Sequence, residues 1–351
     1  MKIAIIGSGF FGLACAFELS KRGHEVNIFE KEKDILQGAS KKNQFRFHLG
    51  YHYPRSQETV EELKIANKYF TKFYSKSIFD NTDNYYAIAR NKSKISLKNY
   101  LKFIDKNKLY LKKTNFDYNN KITSNFFLTK EKNLNYFKFK KIVEKKLIFK
   151  GIKVFTYTEF SKKNLNKYDK VIICTYSQNN SVLDKLGISN LKKYRYELIE
   201  KILVKLPKKY KNKSFIVMDG HFACLDPYLG TNYHLLSDVK NSKIEVINSK
   251  FPNFKNKMKK FLDSNFDTRI KNSNFYVFKK NCLKFFPFLE KAKFISSFKV
   301  IRTLSLNTKS KKNDERLSYI KIHSKKIISI LAGKWNTSIY VAKKIGEIVE
   351  K

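Results

Sequence analysis

The first thirty residues alternate apolar runs and turns in the order strand, turn, helix, strand. The apolar run at 3–6 has the length and the β-branched character of a strand that is buried on both faces. The apolar positions within 13–19 fit one face of a helix, and the run at 26–29 predicts a second strand. Because a helix connects the two strands, the pattern indicates a parallel βαβ unit at the start of the chain.

The later part of the chain shows both strand and helix patterns. Residues 84–89 predict a strand of a second lobe, and residues 134–150 predict a helix. The apolar runs in 151–157 and 169–176 predict strands that return to the first sheet. From residue 194 to about 305, segments of alternating polarity predict an antiparallel sheet.

Glycines and one acid in the first unit suit the binding of a dinucleotide. A tight turn, a close backbone approach to a pyrophosphate and close helix–strand packing each need a glycine, and the helix N-terminus offers N–H donors to phosphate. The acid lies 18 residues beyond the last glycine, where it can accept hydrogen bonds from a ribose and disfavours a 2′-phosphate, so NADP is not expected. The predicted cofactor contacts here are Gly7, Gly9, Phe10, Phe11, Gly12, Glu30 and Lys31.

The segment GASKKNQFRFHLGYHYPRS, residues 38–56, resembles the part that follows the βαβ unit in the D-amino-acid oxidase superfamily of FAD-dependent oxidoreductases. Its His-x-Gly-x-x-Tyr run most resembles the L-2-hydroxyglutarate dehydrogenase branch and, less closely, glycerol-3-phosphate dehydrogenase. The resemblance implies FAD rather than NAD. The positions that it places beside the flavin are Ser40, Asn43, Gln44 and His48.

Two later segments carry the same resemblance. NKYDKVIICTYSQNN, residues 166–180, resembles the second FAD strand of the superfamily, with Tyr176 where a glycine is usual. IISILAGKWNTSIYVAKKIGEIV, residues 327–349, resembles the C-terminal strand, glycine turn and helix that close over the flavin ring. The further cofactor contacts that the resemblance implies are Thr175, Tyr176, Gly333, Lys334, Trp335, Asn336 and Thr337.

These patterns together predict an α/β chain, α+β overall, that forms one oxidoreductase unit over residues 1–351. It consists of a Rossmann-like FAD-binding lobe and a second lobe built on a largely antiparallel substrate sheet. The FAD lobe is expected at approximately 1–75, 140–185 and 306–351. The substrate lobe is expected at approximately 76–139 and 186–305.

The candidate catalytic residues are His48, His52, Tyr53 and Arg302. The two histidines either hydrogen-bond the cofactor and nearby backbone, or one of them deprotonates the substrate, since the pKa of histidine lies near working pH. Arg302 ends an apolar run, and in the superfamily an arginine from this region often grips the substrate carboxylate. Arg55 and Arg316 are alternatives, and Arg302 is otherwise a structural ion-pair partner.

The amino-acid composition limits the kinds of partner that we expect the protein to bind. The formal net charge is +43, but 65 of the 73 basic residues are Lys, which indicates diffuse surface charge and no specific nucleic-acid partner. Four cysteines without a CxxC pair predict neither a disulfide framework nor a metal site, and they fit a reducing cytoplasm. No apolar run reaches the roughly 18 residues that a membrane helix needs. A small anionic substrate and an unidentified electron acceptor are expected.

The most favoured function is an FAD-dependent amino-acid or 2-hydroxy-acid oxidase or dehydrogenase. Such an enzyme removes hydride from a CH–NH or CH–OH carbon of a small carboxylate, with the flavin as redox group. Three alternatives stay open at this point. They are a redox-neutral, mutase-like flavoenzyme of nucleotide-sugar metabolism, a tRNA-modifying flavoenzyme of the same superfamily, and a flavin- or nucleotide-binding sensor.

Overall fold

The computed structural model describes residues 1–74, 79–114, 119–220, 222–262, 266–306 and 314–351. Most of the lysine-rich tract 307–315 therefore lies outside the described residues. The helices of the described residues are α1 (Phe10–Lys21), α2 (Gln57–Phe73), α3 (Leu97–Lys106), α4 (Tyr136–Phe149), α5 (Asn179–Lys185), α6 (Phe275–Leu283) and α7 (Ser338–Val349). The strands of the described residues are β1 (Lys2–Ile6), β2 (Glu25–Phe29), β3 (Arg46–Phe47), β4 (Phe79–Asp80), β5 (Asp83–Ile88), β6 (Lys112–Lys113), β7 (Phe127–Thr129), β8 (Lys132–Leu134), β9 (Lys153–Phe155), β10 (Lys170–Ile173), β11 (Tyr194–Lys205), β12 (Lys213–Met218), β13 (Ala223–Tyr228), β14 (Tyr233–Asp238), β15 (Lys243–Ser249), β16 (Lys293–Leu304), β17 (Tyr319–Ile322) and β18 (Ile327–Leu331).

A six-stranded sheet contains the N-terminal unit, in the order β17-β18-β10-β1-β2-β9. β18, β10, β1, β2 and β9 are parallel, and β17 is an antiparallel edge strand. The predicted β1–α1–β2 unit is confirmed, as is the return of β9 and β10 to this sheet. The sheet therefore assembles strands from three distant parts of the chain, which bring their connecting turns to one edge.

Helix α1 differs from the predicted amphipathic helix because it is buried all round. Every residue from 10 to 19 is buried, rather than one face alone. The helix packs between the six-stranded sheet and α7, so no side of these first turns faces water. An all-round apolar helix is what such a position requires.

A second sheet of nine strands is largely antiparallel, as predicted. Its order is β15-β11-β14-β13-β12-β5-β7-β6, with β16 paired to β11. One pairing departs from the predicted antiparallel arrangement, since β5 and β12 run parallel. β11 and β16 form a long twelve-residue antiparallel pair, which carries charged side chains toward the six-stranded sheet.

A third, small sheet has the order β3-β8-β4. One hydrophobic cluster runs from Ile5 and Leu13 of the first sheet layer to Leu203 and Phe298 of the second sheet. The two sheets therefore share a continuous core. Within the described ranges, no helix is long and apolar enough to span a bilayer.

Candidate active site

A cavity of about 1020 Å³ lies between the two large sheets. Its walls come from the glycine turn, the loop at 39–55, strands β11 and β16, and the turn after β18. A space of this size is at the upper end of the range for ligand pockets. The structure brings fourteen of the predicted site residues to its walls: Gly9, Phe10, Phe11, Ser40, Asn43, Gln44, His48, His52, Tyr53, Tyr176, Arg302, Gly333, Lys334 and Trp335.

The glycine turn has the geometry of a phosphate cradle. Gly7 has φ +95°, and a Cβ on Gly12 would lie 1.9 Å from the Gly7 carbonyl oxygen, so the turn and α1 approach too closely for any side chain. The N-cap residue of α1 is Gly9, which has no side chain to cap the helix, and the Phe10 N–H donates instead to Ser40 Oγ at 3.3 Å. The remaining N–H groups of this end and its positive dipole suit a pyrophosphate.

Glu30 directly follows β2, beside the same turn. Its Oε2 accepts hydrogen bonds from the Ser8 N–H at 2.8 Å and the Ser8 hydroxyl at 2.7 Å, and its Oε1 accepts from the Glu32 N–H at 3.0 Å. Because a carboxylate has about four acceptor positions, one position remains for a ribose hydroxyl. Lys31 is exposed outside the cavity wall, where its ammonium lies 3.4 Å from Glu32.

Three other predicted contacts shape the backbone behind the cavity wall. The Thr175 N–H and hydroxyl both donate to Asn179 Oδ1 at 3.0 Å. Asn336 is buried and donates to the His48 carbonyl at 3.2 Å, and Thr337 donates to the Lys334 carbonyl at 2.8 Å. These residues fix the turns after β10 and β18 and do not line the cavity.

Tyr176 itself takes φ +54°, a conformation in which glycine is the ordinary residue. Its hydroxyl accepts from the Thr303 N–H at 3.0 Å and lies 3.2 Å from the Thr303 carbonyl, to which it donates. A tyrosine at this glycine position therefore ties the turn after β10 to strand β16. This contact joins the two sheets at the cavity.

Several buried polar atoms on the cavity walls have no hydrogen-bond partner among the described residues. Such atoms are costly in a folded protein unless a ligand or water satisfies them. Their concentration in one cavity, together with the cradle above, fits a large ligand that has both polar and aromatic parts. The atoms are Gln44 Nε2, His52 Nδ1, the Tyr53 hydroxyl, Ser237 Oγ, Thr303 Oγ1 and Trp335 Nε1.

His48, His52 and Tyr53 form a compact aromatic cluster on one wall. The ring centres of His48 lie 5.7 Å from His52 and 5.4 Å from Tyr53. Burial is the main reason that the pKa of each histidine is well below its usual value. Burial also raises the pKa of Tyr53 well above its usual value. At neutral pH the cluster therefore offers two neutral imidazoles and a protonated phenol.

Arg302 lines the cavity and is also an ion-pair partner. Its Nε donates to Glu197 Oε2 at 2.6 Å, and Arg195 Nε donates to the other oxygen, Oε1, at 2.9 Å. The two guanidinium groups thus share one buried carboxylate. The alternatives Arg55 and Arg316 also line the cavity, where they pair with Asp219 and Asp314.

Sequence reasoning missed four charged groups around this cavity, of which Arg46, Asp226 and Glu131 are buried and Lys201 is half-buried. Arg46 makes a bidentate pair with Asp226, Glu131 lies behind His48, and Lys201 lines the wall on β11. Burial lowers the pKa of Lys201 to about 8. The partners are far apart in sequence, and Glu131 and Lys201 lie in lysine-rich stretches without a motif, so only a three-dimensional arrangement could identify them.

Comparison with known proteins supports a flavoprotein. A family model described as FAD dependent oxidoreductase, DAO, matches residues 2–182, about half of the chain. Among curated proteins, the FAD-dependent monooxygenase kojA of Aspergillus flavus is 37% identical over 87 residues, which are 25% of this chain and 20% of that protein. The match to this relative therefore spans only about a fifth of its length.

Two solved structures share the fold over nearly the whole chain. Glycine oxidase from Geobacillus kaustophilus has a TM-score of 0.74 at 15% identity, over 99% of this chain and 94% of that one. L-α-glycerophosphate oxidase from Mycoplasma pneumoniae, solved with FAD bound, has a TM-score of 0.70 at 12% identity, over 100% and 94%. At such identities the likeness shows the fold alone. With the match over residues 2–182, it follows that the chain belongs to the DAO family of FAD-dependent oxidoreductases.

Proposed function

We propose that the protein oxidises a CH–OH or CH–NH carbon of a small anionic substrate. When bound, FAD supplies the acceptor for the hydride and its two electrons. The protein has to bind the two reactants in contact, orient the reacting carbon and remove any proton that the reaction releases. The glycine turn, Glu30 and the turn at 333–337 would hold the cofactor, and the walls from β11 and β16 would face the substrate.

The main observation in support of this proposal is the excess of positive charge on the cavity wall. Among the described residues, twelve Lys and Arg side chains line the cavity against five Asp and Glu side chains. The pyrophosphate of the cofactor offsets only part of this excess. Because a cleft lined by one sign of charge concentrates ligands of the opposite sign, the excess favours an anionic substrate.

The arginine pair on Glu197 is the best place for a substrate carboxylate. Arg195 and Arg302 together carry one positive charge more than Glu197 neutralises. Arg302 is 34% exposed, so its guanidinium has edges that can donate to a ligand in the cavity. A planar guanidinium matches a carboxylate bidentately and fixes its orientation, which an ammonium does not.

The names of the structural neighbours agree with such a substrate. One neighbour is a glycine oxidase and another is an L-α-glycerophosphate oxidase, and glycine and glycerophosphate both carry an anionic group. These substrates belong to those proteins. For this chain they support the class of a small anion and leave open which anion it is.

Anaerobic flavin reduction tests the proposal. The FAD-loaded protein is mixed with 2-hydroxy acids, the corresponding 2-amino acids and glycerophosphate, and the visible flavin absorbance is followed. At least one anion should bleach the flavin, and its neutral ester or alcohol should not. Dithionite serves as the positive control for a reducible flavin. A flavin that dithionite bleaches but that no member of the panel bleaches would contradict the proposed substrate class.

A further inference from the structure

Glu131 is a buried carboxylate that lies directly behind His48. It follows β7 in the short connection to β8, and it is 1% exposed. Its Oε1 accepts a hydrogen bond from the Leu49 N–H at 2.9 Å, and its Oε2 accepts one from the Tyr86 hydroxyl at 2.5 Å. These two bonds fix the carboxylate plane. Oε1 then lies 3.7 Å from His48 Nδ1.

The two ring nitrogens of His48 face different surroundings. Nδ1 is buried and lies next to Glu131, whereas the ring lines the cavity with 11% of the side chain exposed. The edge that reaches the cavity is therefore the one that carries Nε2. At 3.7 Å the Nδ1–Glu131 contact is longer than a hydrogen bond, by about half an ångström. Catalytic hydrogen bonds often reach their normal length only when substrate binds.

His52 lacks this arrangement. Its ring packs edge-on against Tyr53, Tyr86 and Phe222, and its Nδ1 is also buried. Across the described part of the chain, His48 is the histidine that has a carboxylate oxygen within 4.0 Å. The acid thus distinguishes His48 from its neighbour.

Burial and two neighbouring cationic side chains keep His48 neutral in the resting protein. Burial is the main cause of its low pKa, and Lys334 and Arg46 lower the pKa further. The pKa of Glu131 is raised by burial, and Arg46, the Tyr86 hydroxyl and the Leu49 N–H offset only part of that rise. His52 and Tyr53, which complete the surroundings, are uncharged at neutral pH. A neutral imidazole is the form that can accept a proton.

We infer that Glu131 holds His48 in the Nδ1–H tautomer, so that Nε2 accepts the hydroxyl proton of a substrate whose reacting carbon is a CH–OH carbon. The inference rests on the proposed function and narrows its substrate from CH–OH or CH–NH to CH–OH. Glu131 is a positioning residue in this scheme, because it acts through His48. Oxidation of an alcohol requires a base for the hydroxyl proton, whereas a neutral amine needs little beyond correct placement.

The step is balanced as follows. The O–H bond of the substrate breaks, and its proton goes to His48 Nε2. The electron pair of that bond becomes the second bond between carbon and oxygen. The C–H bond would break at the same time, and FAD held in the cavity would supply the acceptor for the hydride and both of its electrons. The product is the corresponding ketone, and His48 is left as an imidazolium that the Glu131 carboxylate stabilises.

The tautomer can be measured without any substrate. The FAD-loaded protein is labelled with ¹⁵N-histidine, and the His48 signals are assigned by their loss in His48→Gln. Two-bond and three-bond correlations in the imidazole ring then report which nitrogen carries the proton at pH 7. A proton on Nδ1 supports the inference. A proton on Nε2 overturns it, whatever the substrate proves to be.

A second test uses Glu131→Gln, which keeps the shape of the side chain and removes its charge. With a 2-hydroxy acid that reduces the wild-type flavin, the reduction rate should fall by roughly 10²-fold, within the range that a positioned base contributes. The wild-type rate should be level above the pKa of His48. In the variant this level region should begin at a lower pH, because protonated His48 loses the counter-charge of Glu131. Substrate affinity should change little. An unchanged rate and an unchanged pH profile would overturn the inference.

Asp238→Asn is the matched control, since Asp238 is a fully buried acid outside the cavity wall that bonds its own turn and Asn281. It should keep the wild-type pH profile and the wild-type His48 tautomer.

Pairs of 2-hydroxy and 2-amino acids with the same side chain distinguish a failure of the CH–OH inference from a failure of the proposed function. Reduction by the amino acids alone overturns the CH–OH inference but upholds the proposed function, and reduction by neither class contradicts the proposed function.

Discussion

The Lys334 ammonium lies 5.0 Å from the centre of the Tyr53 ring, in the turn after β18. Burial is the main reason that its pKa falls to about 7, and Arg316, Arg46 and Arg302 lower it further. Free protein at pH 8 to 9 therefore holds Lys334 mostly neutral. An anionic ligand that binds beside it favours the charged form and raises its pKa, so binding takes up a proton.

We expect the affinity of the apoprotein for FAD to fall as the pH rises from 7 to 9. The sign follows because the ligand prefers protonated Lys334, and the free protein loses that proton above pH 7. Titration by flavin fluorescence at several pH values measures the effect, which Lys334→Met should abolish. The exposed Lys325→Met should retain it. An identical pH dependence in wild type and Lys334→Met would assign the effect to another group.

Gly12 offers a steric test of the cofactor cradle. An alanine Cβ there would stand 1.9 Å from the Gly7 carbonyl oxygen, a contact that cannot be relieved without moving the turn. Gly12→Ala should therefore be purified without FAD or fail to accumulate. Gly38→Ala is the control, because its Cβ meets nothing within 4 Å. Normal flavin content in Gly12→Ala, measured by absorbance after protein denaturation, would contradict the described packing of α1 on the turn.

At the scale of elements, the long β11–β16 pair places Glu197 directly opposite Arg302. Opposite residues on antiparallel strands have close Cβ atoms, so the ion pair orients the Arg302 side chain before substrate arrives. The ion pair is therefore compatible with both roles that the sequence left open for Arg302, a structural partner and a ligand of the substrate carboxylate. The same contact that makes Arg302 a structural partner can also present its guanidinium to the cavity.

Arg302→Lys should lower kcat/KM by about 10²-fold, since a lysine keeps the charge but loses the planar fork that fixes a carboxylate. FAD content should stay at the wild-type value. Steady-state kinetics with a bleaching substrate and the absorbance ratio of flavin to protein give both readouts. Arg269→Lys is a suitable control, because Arg269 pairs with Asp267 and does not line the cavity. Near-normal kcat/KM in Arg302→Lys would exclude it from carboxylate binding.

The elements differ in how far sequence could predict them. β1, α1 and β2 were predictable because the apolar period, the glycines and Glu30 lie within thirty residues and determine one another locally. The parallel pairing of β5 with β12 was not, since no local pattern reports which distant strand becomes a neighbour. The position of Glu131 beside the cavity could not be predicted for the same reason. Its contact with Leu49 spans 82 residues, and an acid in a lysine-rich stretch otherwise indicates a solvated loop.

At the scale of the whole molecule, the Arg46–Asp226 pair connects β3 of the small sheet with β13 of the nine-stranded sheet. The side chains are 3% and 0% exposed, and the Ser214 hydroxyl donates to Asp226 at 2.6 Å. A buried pair of this kind contributes specificity more reliably than net stability. Its position between the sheets makes it a determinant of how they join.

Asp226→Asn should lower the free energy of unfolding by about 3–5 kcal/mol, because it leaves a buried guanidinium without its counter-charge. Urea unfolding of the FAD-saturated protein measures this loss. The double variant Arg46→Met/Asp226→Leu should recover much of it, since no unpaired charge remains. Asp169→Asn, at an exposed contact with the Lys2 N–H, should cost far less. Equal losses in Asp226→Asn and Asp169→Asn would show that the pair is solvated.

The central strands of the six-stranded sheet bear on how the protein is made in the cell. β1 leaves the ribosome long before β18 and the turn at 333–337, which lie far along the chain from it. At about 5–20 residues per second, synthesis of the chain between them takes tens of seconds. Throughout that interval the nascent glycine turn has no wall from β18 to close the pocket, so stable capture of FAD has to follow translation of the turn at 333–337.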